Sequence, residues 1–200
     1  ELSEAITSWK NKIGDSIDVY YLLENMGLGN ALKIGLKYCK FSFIARMDTD
    51  DIANSERFYK QAQFLLENPH IDVVGTYISE IDDNSKITRE IVKYPLTHNE
   101  MKVFFSKRDP LPHVTAMFRN SFFDKAGSYS NRVEFAEDTL LWMQGFLSNC
   151  YFANLPIVGV NVRQSDSFYK RRGGMRKSLK LLKFRLFVIN RNLGYGLFGD

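Results

Sequence analysis

Residues 43–51 read Phe-Ile-Ala-Arg-Met-Asp-Thr-Asp-Asp, an apolar run that ends on three carboxylates within four positions. Asp48 and Asp50 have the period-two spacing that turns both side chains the same way in extended backbone. Carboxylates held side by side repel one another unless something positive lies between them. A divalent cation that also grips a phosphorylated ligand would meet that demand. Mg2+ and Mn2+ take oxygen ligands from one or two carboxylates and complete their shells with phosphates and water. Capping of the following helix, with solvation, would meet it too, and the spacing alone leaves both readings open.

The flanking sequence alternates helical and extended patterns. Upstream, residues 1–12 space Leu2, Ile6 and Trp9 as one face of a helix, and IDVYYLL (17–23) reads as a strand. The turn ENMGLGN leads into the helix ALKIGLKYC, and FSFIARM (41–47) is expected as a buried strand. Downstream, Asn54 or Ser55 can cap the helix ERFYKQAQFLLE, with Phe58, Ala62 and Leu65 as its inner face and Asn68-Pro69 as its stop. IDVVGTYISEI and ITREIVKYP form a hairpin around DDNSK, and Thr97 with Glu100 makes a capping box for a short helix. HVTAMF (113–118) reads as a strand, and a short helix is expected near NSFFDKAG. FAED (135–138) opens the helix TLLWMQGFLSN, LPIVGVNVR (155–163) is the last strand, and 175–191 is a basic amphipathic helix. This order predicts an α/β fold with a mixed central sheet flanked by helices. Ligands of open α/β sheets bind beyond the carboxyl ends of the strands, where the acidic cluster falls.

Bulk properties bound the function. The chain has 200 residues, 44% hydrophobic and 25% charged, enough for one substantial domain. No apolar run reaches the ~20 residues that span a bilayer. Cys39 and Cys150 sit in apolar surroundings without a partner motif, which fits a reduced, cytoplasmic setting. From Arg163 onward ten Lys/Arg face two Asp, a net +8, so the first 162 residues carry about −4 of the total of +4. A basic tail calls for an anionic partner. No nucleic-acid module or base-stacking pattern accompanies the charge, so a membrane surface or a diphosphate is expected rather than nucleic acid.

The stretch IARMDTDDIANSERFYKQAQFLLENPHIDVVGT resembles the corresponding segment of family-2 glycosyltransferases, which have the GT-A nucleotide-diphosphosugar-binding fold. ENMGLGNALKIGLKYC upstream, and HVTAMFR, FAED and YKRRGG downstream, stand in the order of bacterial members that build surface polysaccharides. The resemblance implies an inverting, metal-dependent transferase that moves a sugar from a nucleotide-diphosphate sugar, a UDP-sugar, to a saccharide or lipid-linked acceptor. It implies Asp48 and Asp50 as ligands of Mn2+ or Mg2+, with Asp48 also at the donor nucleotide. It places Asn25, Gly27, Arg46 and Arg171 at the donor, His113 and Glu137 at the sugar or acceptor, and Asp138 as the base that takes the acceptor proton. For Arg46 a structural ion pair is the competing reading, and for Asp138 a helix-stabilising acid at an N-terminus. For Arg163, Tyr169, Lys170 and Arg171 a solvated basic loop competes with closure over the diphosphate. Lys33 departs from the family, where an asparagine is common.

Residues 1–174 are expected as a partial catalytic domain, lacking the family's first strands, and 175–200 as the basic helix. That helix places Leu179, Leu182, Leu186 and Ile189 on one face and suits peripheral contact with an anionic inner membrane surface. A sheet edge left open would favour a homodimer. Two other functions compete: a sugar-phosphate nucleotidyltransferase, and a non-enzymatic membrane-surface binding module.

Overall fold

The computed structural model describes residues 2–130 and 136–164, together with 179, 182–184, 186 and 187. Among these residues six strands form one mixed sheet: β1 Phe43–Ala45, β2 Ile52–Ala53, β3 Val73–Ile81, β4 Ile87–Val92, β5 Met117–Arg119 and β6 Phe152–Arg163. Their order is β1-β5-β3-β6-β2, with β4 paired to the second half of β3. β3 and β6 run parallel over their whole lengths, whereas β5 is antiparallel to both β3 and β1. β1, β3 and β6 therefore point the same way; β3 and β6 end together at Ile81 and Arg163, whereas β1 ends at Ala45, level with Val74 near the start of β3.

Helix α1 Leu2–Ile13 is exposed along nearly all its length, and α2 Leu28–Leu36, α3 Arg57–Glu67, α4 His98–Phe104, α5 Ser121–Ala126 and α6 Glu137–Leu147 pack around the sheet. α6 is buried at seven of its eleven positions, so it carries little polar alternation. Its Trp142 and Phe146 pack with Phe118, Phe122 and Phe152 in the largest cluster, and the rings of Phe146 and Phe152 stack at 4.2 Å. The Thr97–Glu100 capping box forms as the spacing predicts: the Glu100 amide donates to Thr97 Oγ1, and the Thr97 amide donates to Glu100 Oε2.

Four local expectations are corrected. Residues 17–23 form no strand; Tyr21 and Leu23 are exposed, and no described strand lies alongside to complete a ladder. The strand expected at 41–47 contracts to Phe43–Ala45, with Phe41 exposed. Residues 113–115 make a 3-10 turn before β5, because the amides of Thr115 and Ala116 bond back to Pro112 and His113. The inner face of α3 is Arg57, Gln61 and Leu65, while Phe58 is 46% exposed. The interior offers carbonyl acceptors there, and they draw in polar side chains that an apolar-periodicity argument would place outside. Of 175–200 only six positions are described; among them Leu179, Leu182 and Leu186 are exposed and Phe184 packs against the core. Among the described residues no helix is long and apolar enough to cross a membrane.

Close approach of β3 and β6 depends on Gly75, where an added Cβ would lie 2.3 Å from Asn154 Oδ1 and 2.8 Å from Leu111 Cβ. Gly75→Ala should lower unfolding free energy by about 1–3 kcal/mol in denaturant titration. Gly35→Ala, in α2 with open space around it, should raise it by about 0.5–1 kcal/mol.

Candidate functional site

The chain leaves β1 at Ala45 and enters β2 at Ile52, and the link between them carries Asp48, Asp50 and Asp51. One carboxylate oxygen from each lies within 4.8 Å of the others. Asp51 is half-buried and Asp50 exposed. Desolvation pushes the Asp51 carboxyl up to about 6; the Arg163 amide opposes this, and the neighbouring Asp50 and Asp48 add to it. Burial, more than the neighbouring charges, sets the direction of the Asp51 shift.

Arginines hold it from both sides. Arg46 is 8% exposed, and its Nη2 pairs with Asp48 at 2.5 Å. Its Nε and Nη1 are buried without a hydrogen-bond partner among the described residues. At the far side the Arg163 amide donates to Asp51 Oδ1 at 2.8 Å, and its Nε donates to the Asp50 carbonyl at 3.0 Å. Its Nη1 and Nη2 donate to the Asp82 carbonyl and to Ser85 Oγ. Arg163 therefore staples the acidic link to the β3–β4 turn, a role that neither reading of it from the sequence, closure over a diphosphate or a solvated loop, contained. Arg171, Tyr169 and Lys170 lie outside the described residues.

A second group of polar residues gathers at the starts of α2 and α6, and Arg46 links it electrostatically to the first. Gly27 starts α2 with φ +79°, a left-handed conformation that glycine adopts without strain, and its amide donates to Asn25 Oδ1. An added Cβ at Gly29 would lie 3.1 Å from the Ser130 carbonyl oxygen and 3.5 Å from Glu137 Cβ, so the start of α2 abuts the start of α6. In the first turn of α6, Asp138 Oδ1 accepts from the Thr139 amide at 2.8 Å. Thr139 Oγ1 in turn donates to Asp109, which ties the loop before the 3-10 turn to this helix end. His113 is buried, with Nε2 at 2.8 Å from the Tyr129 hydroxyl and its ring against Trp142. Burial, with the charge of Arg46, pushes His113 well below the usual histidine range, so it stays neutral. Burial likewise raises Tyr129, whose hydroxyl also feels Arg46, Asp138 and Glu137. Arg46, His113, Tyr129 and the start of α6 thus share one electrostatic neighbourhood. Beside it a cavity of about 390 Å³ is lined by Asn30, Lys33, Tyr129, Ser130, Leu140 and Gln144.

Tyr129 and Asp109 carried no sequence signal, since each is recognisable only by what it touches. Arg57 and Gln61 carried one: polar residues at i and i+4, in line with Leu65 at i+8, on an otherwise amphipathic helix.

With this geometry in place, known proteins bear on it. The family model described as Glycosyl transferase family 2 matches residues 1–127. The chain is 33% identical to the amylovoran biosynthesis glycosyltransferase AmsE of Erwinia amylovora, over 97% of this chain and 71% of that protein. It is 30% identical to the Escherichia coli UDP-Gal:alpha-D-GlcNAc-diphosphoundecaprenol beta-1,3-galactosyltransferase, over 96% of this chain and 68% of that one. Among solved structures, S. aureus TarS 1-349 in complex with UDP-GlcNAc superposes with a TM-score of 0.66 at 17% identity, over 97% of this chain. A mannosyltransferase from Pyrobaculum calidifontis in complex with GDP-Man and Mn2+ superposes with a TM-score of 0.55 at 12% identity, over 99% of this chain. These likenesses establish the GT-A fold. The chain spans 60% and 63% of the two solved chains, respectively.

Neutral burial of His113 has a pH signature. Its folded pKa is depressed, so the unfolded chain binds the extra proton first, and the stability this histidine contributes is lost as pH falls below about 6.5. In urea titrations between pH 7.5 and 5, His113→Gln should lose less stability on acidification than wild type. The slope attributable to His113 should approach about 1.4 kcal/mol per pH unit.

Proposed function

The chain belongs to glycosyl transferase family 2, and we propose that it forms the reaction face of an inverting sugar transferase with a UDP-sugar donor and a saccharide or lipid-linked acceptor, working in polysaccharide biosynthesis. One observation carries the reading: the crowded carboxylates of Asp48, Asp50 and Asp51 beside the carboxyl end of β6, in contact with an arginine whose Nε and Nη1 have no hydrogen-bond partner among the described residues. The UDP-GlcNAc held by TarS and the UDP-Gal and diphosphoundecaprenol named for the E. coli relative support the donor and acceptor classes.

The residues fit a divalent cation. They offer hard carboxylate oxygens close together, and Asp50 and Asp48 add to the rise that burial imposes on the Asp51 carboxyl. Asp48 and Asp50 would hold Mn2+ or Mg2+, which when bound supplies positive charge to the departing diphosphate. Arg46, whose Nε and Nη1 have no partner among the described residues, would contact the donor beside it, and Asn25 and Gly27 would border the nucleotide at the start of α2. Arg171 would approach the diphosphate from the basic loop. At the start of α6, Asp138 would take the proton of the acceptor hydroxyl as its oxygen bonds to the anomeric carbon. The bond from that carbon to the diphosphate oxygen breaks with its electron pair leaving on the nucleotide, and the configuration inverts. His113, neutral and fixed by Tyr129, and Glu137 would line the sugar. The exposed Leu179, Leu182 and Leu186 in the basic segment support peripheral contact with an anionic membrane, where a lipid-linked acceptor resides.

Asp138→Asn should lower turnover by about 10²–10⁴-fold, followed as UDP release, with donor affinity retained in calorimetry. Unchanged turnover would remove Asp138 as the base. Asp50→Ala should abolish the Mn2+-dependent part of UDP binding. Equal UDP affinity with and without metal in the unmutated protein would overturn the metal reading.

A further inference from the structure

Arg57 is fully buried in α3, yet no carboxylate pairs with it among the described residues. Its Nη2 donates to the Arg46 carbonyl at 2.8 Å, its Nη1 to Met47 Sδ at 3.2 Å and its Nε to Gln61 Oε1 at 2.9 Å. Gln61, equally buried, spends both Nε2 protons on the carbonyls of Val74 in β3 and Thr115 before β5, each at 2.8 Å. Burial and the nearby Arg46 charge lower the Arg57 pKa to about 10, which leaves it a cation at neutral pH. Burying an ion without a counter-ion costs several kcal/mol, and apolar residues of similar volume would fill the same space without that cost. A purely structural role is therefore a poor account of this pair.

The acceptors suggest another. The Arg46 amide is bonded to the Ala116 carbonyl, and its carbonyl is bonded to Arg57, so both backbone groups of the residue two before Asp48 are fixed. Arg163 fixes the other end of the link at Asp50 and Asp51. We propose that Arg57 and Gln61 are positioning residues for the carboxylate cluster: Gln61 orients the guanidinium, and the guanidinium sets the path on which Asp48 and Asp50 leave β1. This rests on the metal reading given above. Residues that orient metal ligands are worth about 10–100-fold in metal affinity.

The test titrates Mn2+ in the presence of UDP, following the free-ion signal by electron paramagnetic resonance, with circular dichroism and thermal midpoints as the check on folding. Arg57→Met and Gln61→Met should remain folded and bind Mn2+ about 10–100-fold more weakly, with UDP binding recovered at saturating Mn2+. Arg57→Lys, which keeps the charge but can reach fewer of the three acceptors, should lose less. Folded Arg57→Met with wild-type Mn2+ affinity would overturn the positioning role. Unfolding of both Arg57 variants would overturn it too, because Arg57 would then be a scaffold residue. Asp50→Ala separates the two failures. If it loses Mn2+ binding while Arg57→Met does not, the positioning role alone is wrong; if it binds Mn2+ as wild type does, the metal reading fails as well.

Discussion

Like charges brought together at the end of a short strand govern this molecule. The oxygens of Asp48, Asp50 and Asp51 fall within 4.8 Å of one another, and a chain free to choose would let them splay into water. Here the backbone on either side is held instead. Arg57 and the Ala116 carbonyl grip the approach at Arg46, while Arg163 grips the exit at Asp50 and Asp51. Three arginines surround the link, but only Arg46 forms an ion pair with it among the described residues. Arg57 and Arg163 place their donors on backbone or neutral acceptors, apart from the Arg163 amide on Asp51. The cluster is thus gripped through its backbone, with one ion pair to its side chains among the described residues, an arrangement consistent with the proposed cation site.

The sheet explains why the cluster sits where chemistry can reach it. The antiparallel β5 lies between β1 and β3, so β1 regains the direction of β3 and β6; it ends level with Val74, and the link that follows it carries the acids on to the carboxyl end of β6 at Arg163. Gly75 leaves room for the Asn154 side chain where β3 and β6 begin to pair, and at the far end of β6 the Arg163 amide reaches Asp51 in the acidic link. α6 is packed by its aromatic side chains into the core, and that packing presents Glu137 and Asp138 next to α2. Packing, rather than local sequence, joins the two halves of the site.

Much of this was legible in the chain. FIARMDTDD announced the cluster, Thr97 and Glu100 announced their capping box, and the ordered motifs gave the GT-A family. What failed did so for physical reasons. IDVYYLL has strand composition, but a strand exists only as part of a ladder, and no described strand flanks it. In α3, periodicity chose Phe58 for the interior, whereas the interior selected Arg57 and Gln61 for their hydrogen bonds. Arg163 read as a loop cation because its partners, Asp82 and Ser85, are some 80 residues away in sequence. Contacts between distant residues leave no local pattern to find.

The most direct measurement is the anomalous diffraction of Mn2+ in crystals grown with UDP. The account predicts one strong peak within coordination distance of carboxylate oxygens from both Asp48 and Asp50, bridged to the UDP phosphates. A peak elsewhere, or UDP bound with both aspartates turned away from it, would contradict the account.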